Sequence, residues 1–223
     1  RGNKLKIKDG DFMKKFMALL LVAGMTLSLT ACGGSTDTAK TDQADGKDTF
    51  TVGFDQDFPP FGYVGDDGEF TGFDIEMATE CAARMGKKIV LQPIDWDAKD
   101  MELEAGTIDC IWNGFTMNGR EDQYTWTDPY MDNSQVVVVK KDSGINTLAD
   151  LAGKVVEVQK ESAAETALND EEHADLMASF AQLLSVGEYN TAFMDLESGA
   201  VDAVAIDIGV AQFQICLLYT SDA

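Results

Sequence analysis

Two stretches, Gly106-Thr107-Ile108-Asp109-Cys110-Ile111 and Gly199-Ala200-Val201-Asp202-Ala203-Val204, share one pattern: glycine, any residue, aliphatic, aspartate, any residue, aliphatic. Each follows a helix and opens a strand, and Gly106 stops the helix before it. Each then runs into short apolar sequence of the kind buried on both faces of a parallel sheet. The same helix–glycine–strand step, met twice in one chain, predicts two related α/β units.

Outward from these stretches the alternation continues. Thr49 to Phe54 is rich in β-formers and reads as the first strand. Ile75, Ala78, Ala82 and Met85 lie at helical intervals, and Gly86 closes that helix. Lys88 to Ile94 gives a second strand, Asp97 to Ala105 a short helix and Ile108 to Trp112 a third strand. Gln135 to Val139 is a strand with no helical alternative. The second unit repeats the order: strand Val155 to Val158, helix Ser162 to Leu168, apolar segment Phe180 to Val186, helix Tyr189 to Ser198, strand Val201 to Ile206. Such alternation implies parallel sheets covered by helices. Ligands of open α/β sheets collect at the carboxyl ends of strands, here Asn113-Gly114 and Asp207. Two sheets facing each other there would form a cleft lined from both sides.

Composition narrows the chemistry. Of 223 residues 45% are apolar, an ordinary share for a globular chain. Lys and Arg number 17 against 39 Asp and Glu, a net charge of −22, which argues against nucleic acid or an anionic membrane surface as partner. One histidine, His173, and four cysteines leave little room for a zinc cluster or a histidine-based triad. No nucleophile–base pair is visible, and neither a metal nor a cofactor is expected.

Both ends read as foreign to the folded part. Met13-Lys14-Lys15 precedes an apolar run from Phe16 to Leu29, then Leu29-Thr30-Ala31-Cys32-Gly33. A positive start, a short apolar run and small residues before a cut make a secretory signal over 13–32. Its ending resembles the lipobox of bacterial lipoproteins, in which Cys32 carries the lipid. Residues 1–12 then read as translated sequence upstream of the start. Gly33 to Asp48 has no core-forming residues and reads as a flexible tether. At the other end, Cys216-Leu217-Leu218-Tyr219-Thr220-Ser221-Asp222-Ala223 resembles the translation of a transposon-based sequencing adapter, so the natural sequence is expected to stop near Ile215. Cys81 and Cys110 remain, either as buried thiols or, in an exported protein, as a pair.

Several motifs together resemble bacterial extracellular solute-binding proteins of family 3, over about Phe50 to Gln214. They are Asp55-Gln56-Asp57-Phe58-Pro59-Pro60-Phe61, Gly72-Phe73-Asp74-Ile75-Glu76-Met77, Asn113-Gly114-Phe115-Thr116, Arg120-Glu121, Asp128-Pro129-Tyr130, Gly153-Lys154-Val155-Val156, Val158-Gln159 and the strand ending at Asp207. The resemblance implies an α/β, two-lobed periplasmic-binding-protein-like fold of type II that closes on one polar amino acid. It further implies lobe 1 over 49–139 and a C-terminally truncated lobe 2 over 140–215. Function follows the same way: a lipid-anchored, exported, non-enzymatic binding protein delivering its ligand to the permease of an ABC transporter. Relatives on this fold also include prephenate-type dehydratases and receptor sensing domains, which stand as alternatives.

Residue roles are implied position by position. Arg120 resembles the arginine that holds the ligand carboxylate, although its spacing from Thr116 is one residue short, with the shortening near Asn118-Gly119. Asp207 resembles the partner of the ligand ammonium, with the Gly114 carbonyl and Thr116 hydroxyl as further acceptors. Ser162 and Ala163 resemble the second-lobe donors to the carboxylate. Phe58 and Trp96 resemble an aromatic pair around the side chain, and Asp55 and Gln159 the positions that read its polar end. Asp74 and Glu76 are expected to cap and polarise the start of their helix rather than touch the ligand.

Overall fold

The computed structural model describes residues 48–221, with side chains described to residue 216. The expected signal, Cys32 and most of the tether lie outside the described residues, as do the side chains of 217–223. The described residues belong to one unit, Asp45–Ala223.

Within it, β1 (Thr49–Phe54) is the middle strand of the first sheet. It pairs in parallel with β5 (Lys88–Pro93) on one side and β6 (Cys110–Ile111) on the other. Between β1 and β5 the chain makes a small antiparallel sheet of β2 (Asp57–Phe58), β3 (Gly62–Val64) and β4 (Phe70–Thr71), then helix α1 (Phe73–Arg84). The small sheet is absent from the sequence reading because two- and three-residue strands are too short to show alternation. A 3-10 turn, Trp96–Ala98, leads into α2 (Lys99–Ala105), and Gly106 ends it in the left-handed region, φ 69. The expected strand 108–112 is a regular strand only over β6, extended by single bonds from Asp109 N–H to Thr51 O and from Trp112 N–H to Gly53 O. Cys81 and Cys110 are free and half-buried, and burial pushes the Cys110 thiol up to about 12.

The second sheet has the order β7 (Gln135–Val139), β10 (Ala203–Asp207), β8 (Val155–Gln159), β9 (Gln182–Val186). β8, β9 and β10 run in parallel, and β7 lies antiparallel to β10. Gln135 to Val139 therefore sits in the second sheet, whereas the sequence reading assigns it to the first lobe. The chain crosses between sheets before residue 135, because an all-valine run needs a partner strand and cover, and β10 provides the partner. Helices α3 (Ala163–Asn169), α4 (Ala174–Ser179), α5 (Tyr189–Ser198) and α6 (Ile208–Ser221) complete this half.

Alternation along β10 splits the core into two layers. Ala203 and Ala205 pack with Val156, Val158, Leu151, Ala164 and Leu168 on one face. Val204 and Ile206 pack with Val138, Phe193, Leu196 and Val210 on the other. Phe58 and Phe61 from the first half join that second layer, stacked at 5.6 Å, with Phe58 also 6.0 Å from the Tyr189 ring. The two halves thus share an apolar contact beside the ends of their strands.

A binding cleft at the carboxyl ends of both sheets

The cleft is built from strand ends. β1 delivers Asp55, β6 delivers Asn113 to Thr116, β8 ends at Gln159 and β10 at Asp207. A space of about 20 Å3 lies between them, reached by Phe58, Trp96, Gly114, Thr116 and Arg120 from one side. Gln159, Ser162, Ala163 and Asp207 reach it from the other, so nine of the ten residues singled out in the sequence meet here. Asp55 instead lines an adjoining, wider cavity of about 500 Å3, and Trp96 lines both. Asn113 and Phe115 also face the inner space.

Arg120 is 7% exposed and its guanidinium contacts are all to neutral oxygens: Thr116 O at 3.3 Å, Glu161 O at 3.1 Å and Thr166 Oγ1 at 3.1 Å. Its planar group lies over the Phe115 ring at 5.2 Å. A buried fork satisfied only by neutral acceptors retains its charge for an anion. Across the cleft the Asp207 carboxylate is buried and accepts from Asn133 Nδ2 and from Gln135 Nε2, the latter at 2.8 Å. Burial raises its pKa, and these two bonds oppose the shift. A buried carboxylate and a buried guanidinium thus line one space, opposite charges that complement those of a zwitterion.

Asp55 accepts from Asp57 N–H at 2.8 Å and from Gln159 Nε2 at 2.6 Å, and its own N–H donates to Asn113 Oδ1 at 2.9 Å. The Gln159–Asp55 bond joins the two halves. Burial pushes Asp55 up to about 6 against those bonds. The wider cavity is lined by Asp57, Asp95, Asp97, Glu102 and Glu188 as well. Lys160 pairs with Asp97 at 2.7 Å.

Ser162 caps α3, accepting from Glu165 N–H at 3.1 Å, so its hydroxyl already has a structural task. Trp96 packs edge-on against Phe115 at 5.0 Å and donates to Glu161 O at 3.2 Å. Asp74 lies in the first turn of α1 as expected but does not cap it. No side-chain bond caps α1, and Asp74 is 1% exposed, accepting from the Tyr130 hydroxyl at 2.9 Å. That hydroxyl in turn accepts from Gly114 N–H at 3.2 Å. Asp74 and Tyr130 thereby hold the loop that carries Gly114 and Thr116. Burial pushes Asp74 up to about 6.

These raised carboxylates set a pH dependence. A folded-state pKa of about 6, above the ordinary 3.8, means that the folded chain holds these protons more tightly than the unfolded one. The associated stability is complete below the unfolded value and is lost as pH rises through about 6. Lowering pH from about 7.5 to 5.5 should therefore add on the order of 1 kcal/mol of stability for each carboxylate and raise the melting temperature. Calorimetric melts check this, and Asp74→Asn should remove part of the rise.

Comparison with known proteins agrees with the geometry. The sequence pattern of Bacterial extracellular solute-binding proteins, family 3, matches residues 50–193. The arginine-binding extracellular protein of Bacillus subtilis is 36% identical over 148 residues, 66% of this chain and 56% of that protein. The L-cystine-binding protein of Escherichia coli K12 is 31% identical over 194 residues, 86% of this chain and 69% of its own length. Among solved structures, a histidine-bound substrate-binding protein of an uptake transporter from Streptococcus pneumoniae superposes with a TM-score of 0.71 at 35% identity. That match covers 75% of this chain and 69% of the other. With its two α/β halves meeting at the ends of their strands, this chain belongs to family 3 of the bacterial extracellular solute-binding proteins.

Proposed function

We propose that this protein captures a polar amino acid between its two lobes and delivers it to the permease of an ABC transporter, tethered to the membrane by a lipid on Cys32. The observation that carries the reading is the pair of opposite charges across one cleft: buried Arg120, bonded only to neutral oxygens, and buried Asp207. Arg120, with the N–H groups at Ser162 and Ala163, takes the α-carboxylate. Asp207, the Thr116 hydroxyl and the Gly114 carbonyl take the α-ammonium. Phe58 and Trp96 flank the side chain, and Asp55 and Gln159 read its far end. Because the wider cavity beside Asp55 is lined by carboxylates, it favours a cationic or hydrogen-bonding side chain. Affinity is complete only when both lobes contribute, so closure couples recognition to transport.

Substitution of Asp207 tests the reading. Asp207→Asn should weaken the bound amino acid by roughly tenfold or more, since a charge-assisted bond to the ammonium is lost. An analogue of the same ligand without its α-amino group should lose far less. Equal losses in parallel calorimetric titrations would show that Asp207 does not meet the ammonium.

A further inference from the structure

Asn133 stands just before β7, in the segment that crosses between the two sheets. Its side-chain Nδ2 donates to Thr116 Oγ1 at 3.1 Å and also to Asp207 Oδ1. Thr116 belongs to the first half and Asp207 to the second, and an amide –NH2 has two hydrogens, one for each. These are two of the three acceptors assigned above to the ligand ammonium, the Gly114 carbonyl being the third. The amide thus holds, with a neutral group, the seat that the reading gives to a cation.

The opposite end of the cleft shows the complementary arrangement. Glu161, at φ 59, is the non-glycine residue with positive φ among the described residues, a conformation that costs energy outside glycine. Its carbonyl accepts from Arg120 Nη2 at 3.1 Å and from Trp96 Nε1 at 3.2 Å. A neutral carbonyl oxygen of the second half therefore faces the guanidinium assigned to the ligand carboxylate. Both charged seats of a zwitterion are bonded by neutral groups of the chain itself.

We propose that Asn133 is an affinity-setting residue that competes with the ligand's α-ammonium for Thr116 and Asp207. This rests on the amino-acid-binding reading. The amide occupies positions on Thr116 Oγ1 and Asp207 Oδ1 that the ammonium would use, so displacing it from them lowers the observed affinity below what the cleft alone would give. A different role is to brace Asp207 for the ligand, and the two roles predict opposite signs.

The experiment uses the full chain, with Asn133→Ala and Asn133→Ser titrated against L-arginine, L-histidine and L-cystine and against the analogue of each that lacks the α-amino group. Competition predicts that both variants bind the preferred amino acid about three- to tenfold more tightly than the unsubstituted protein, the worth of one or two ordinary hydrogen bonds. The analogue, having nothing to place between Thr116 and Asp207, should bind both variants no better than before. Unchanged or weaker amino-acid binding by the folded variants overturns the proposal and leaves the binding reading intact. An equal gain for amino acid and analogue also overturns it, since the gain would not come from the ammonium seat. Failure of both variants to fold overturns it too, by making the contact structural. If neither the unsubstituted protein nor either variant binds any of these three or any other of the twenty common amino acids, the binding reading falls and this proposal falls with it.

Discussion

Arg120→Ala is expected to weaken binding of any amino acid severely. Micromolar affinity corresponds to about −8 kcal/mol, and a desolvated carboxylate left without its partner costs roughly 2–5 kcal/mol. The loss moves such a ligand from micromolar affinity to about 30 µM at the lower end of that range and to about 5 mM at the upper end. Arg120 is buried and carries the Phe115 ring against its plane, so water cannot easily replace it. Arg120→Lys should recover little, because an ammonium keeps the charge but not the two-pronged geometry. Titration calorimetry decides the matter, with circular dichroism to show that the variant is folded. A loss below threefold would remove Arg120 from the site.

Gly72→Ala is expected to have the largest effect on stability. Gly72 precedes α1 at φ 123, and a Cβ there would lie 2.3 Å from Phe61 O and 2.8 Å from Pro60 O. Neither carbonyl is free to retreat: Pro60 O accepts from Phe73 N–H at 2.9 Å and Phe61 O from Asp74 N–H at 3.0 Å, the bonds that seat the first turn of α1. Backbone strain of about 1–3 kcal/mol then adds to two weakened hydrogen bonds of about 1 kcal/mol each. A total near 3–5 kcal/mol implies a fall in melting temperature of roughly 10 °C for a chain of this size. Gly86→Ala is the control. It also has positive φ, 67, but its Cβ would meet nothing within 4 Å, so only the conformational cost remains. Equal melting shifts for the two variants would refute the steric account.

How far the sequence could be read depends on the range of the signal. Gly106 ends its helix with φ 69 as read, Gly199 does the same with φ 83, and α5 spans Tyr189–Ser198 as expected. Those are local signals. The assignment of Gln135 to Val139 to the first lobe went astray because a valine run announces a strand but not its partner; register against β10 is set by tertiary contact. The same distinction holds at the cleft. Gly114, Thr116, Gln159 and Asp207 converge there because each ends or directly follows a strand, and Arg120 joins them from the loop after β6. Asn133 and Glu161 were missed because their contributions are a bridging amide and a backbone carbonyl, and no residue type in sequence marks either. Asp74 was read as a helix-start charge, a local role, whereas its partner Tyr130 lies 56 residues away.

The central claim, that one amino acid closes the two lobes upon itself, is tested most directly by a thermal-shift screen of the full chain against the twenty amino acids and L-cystine, followed by calorimetric titration of the hits. The account predicts a polar amino acid, bound one to one, that raises the melting temperature by an amount growing with the logarithm of its concentration over Kd. A cooperatively melting protein that none of the twenty-one compounds stabilises would contradict it.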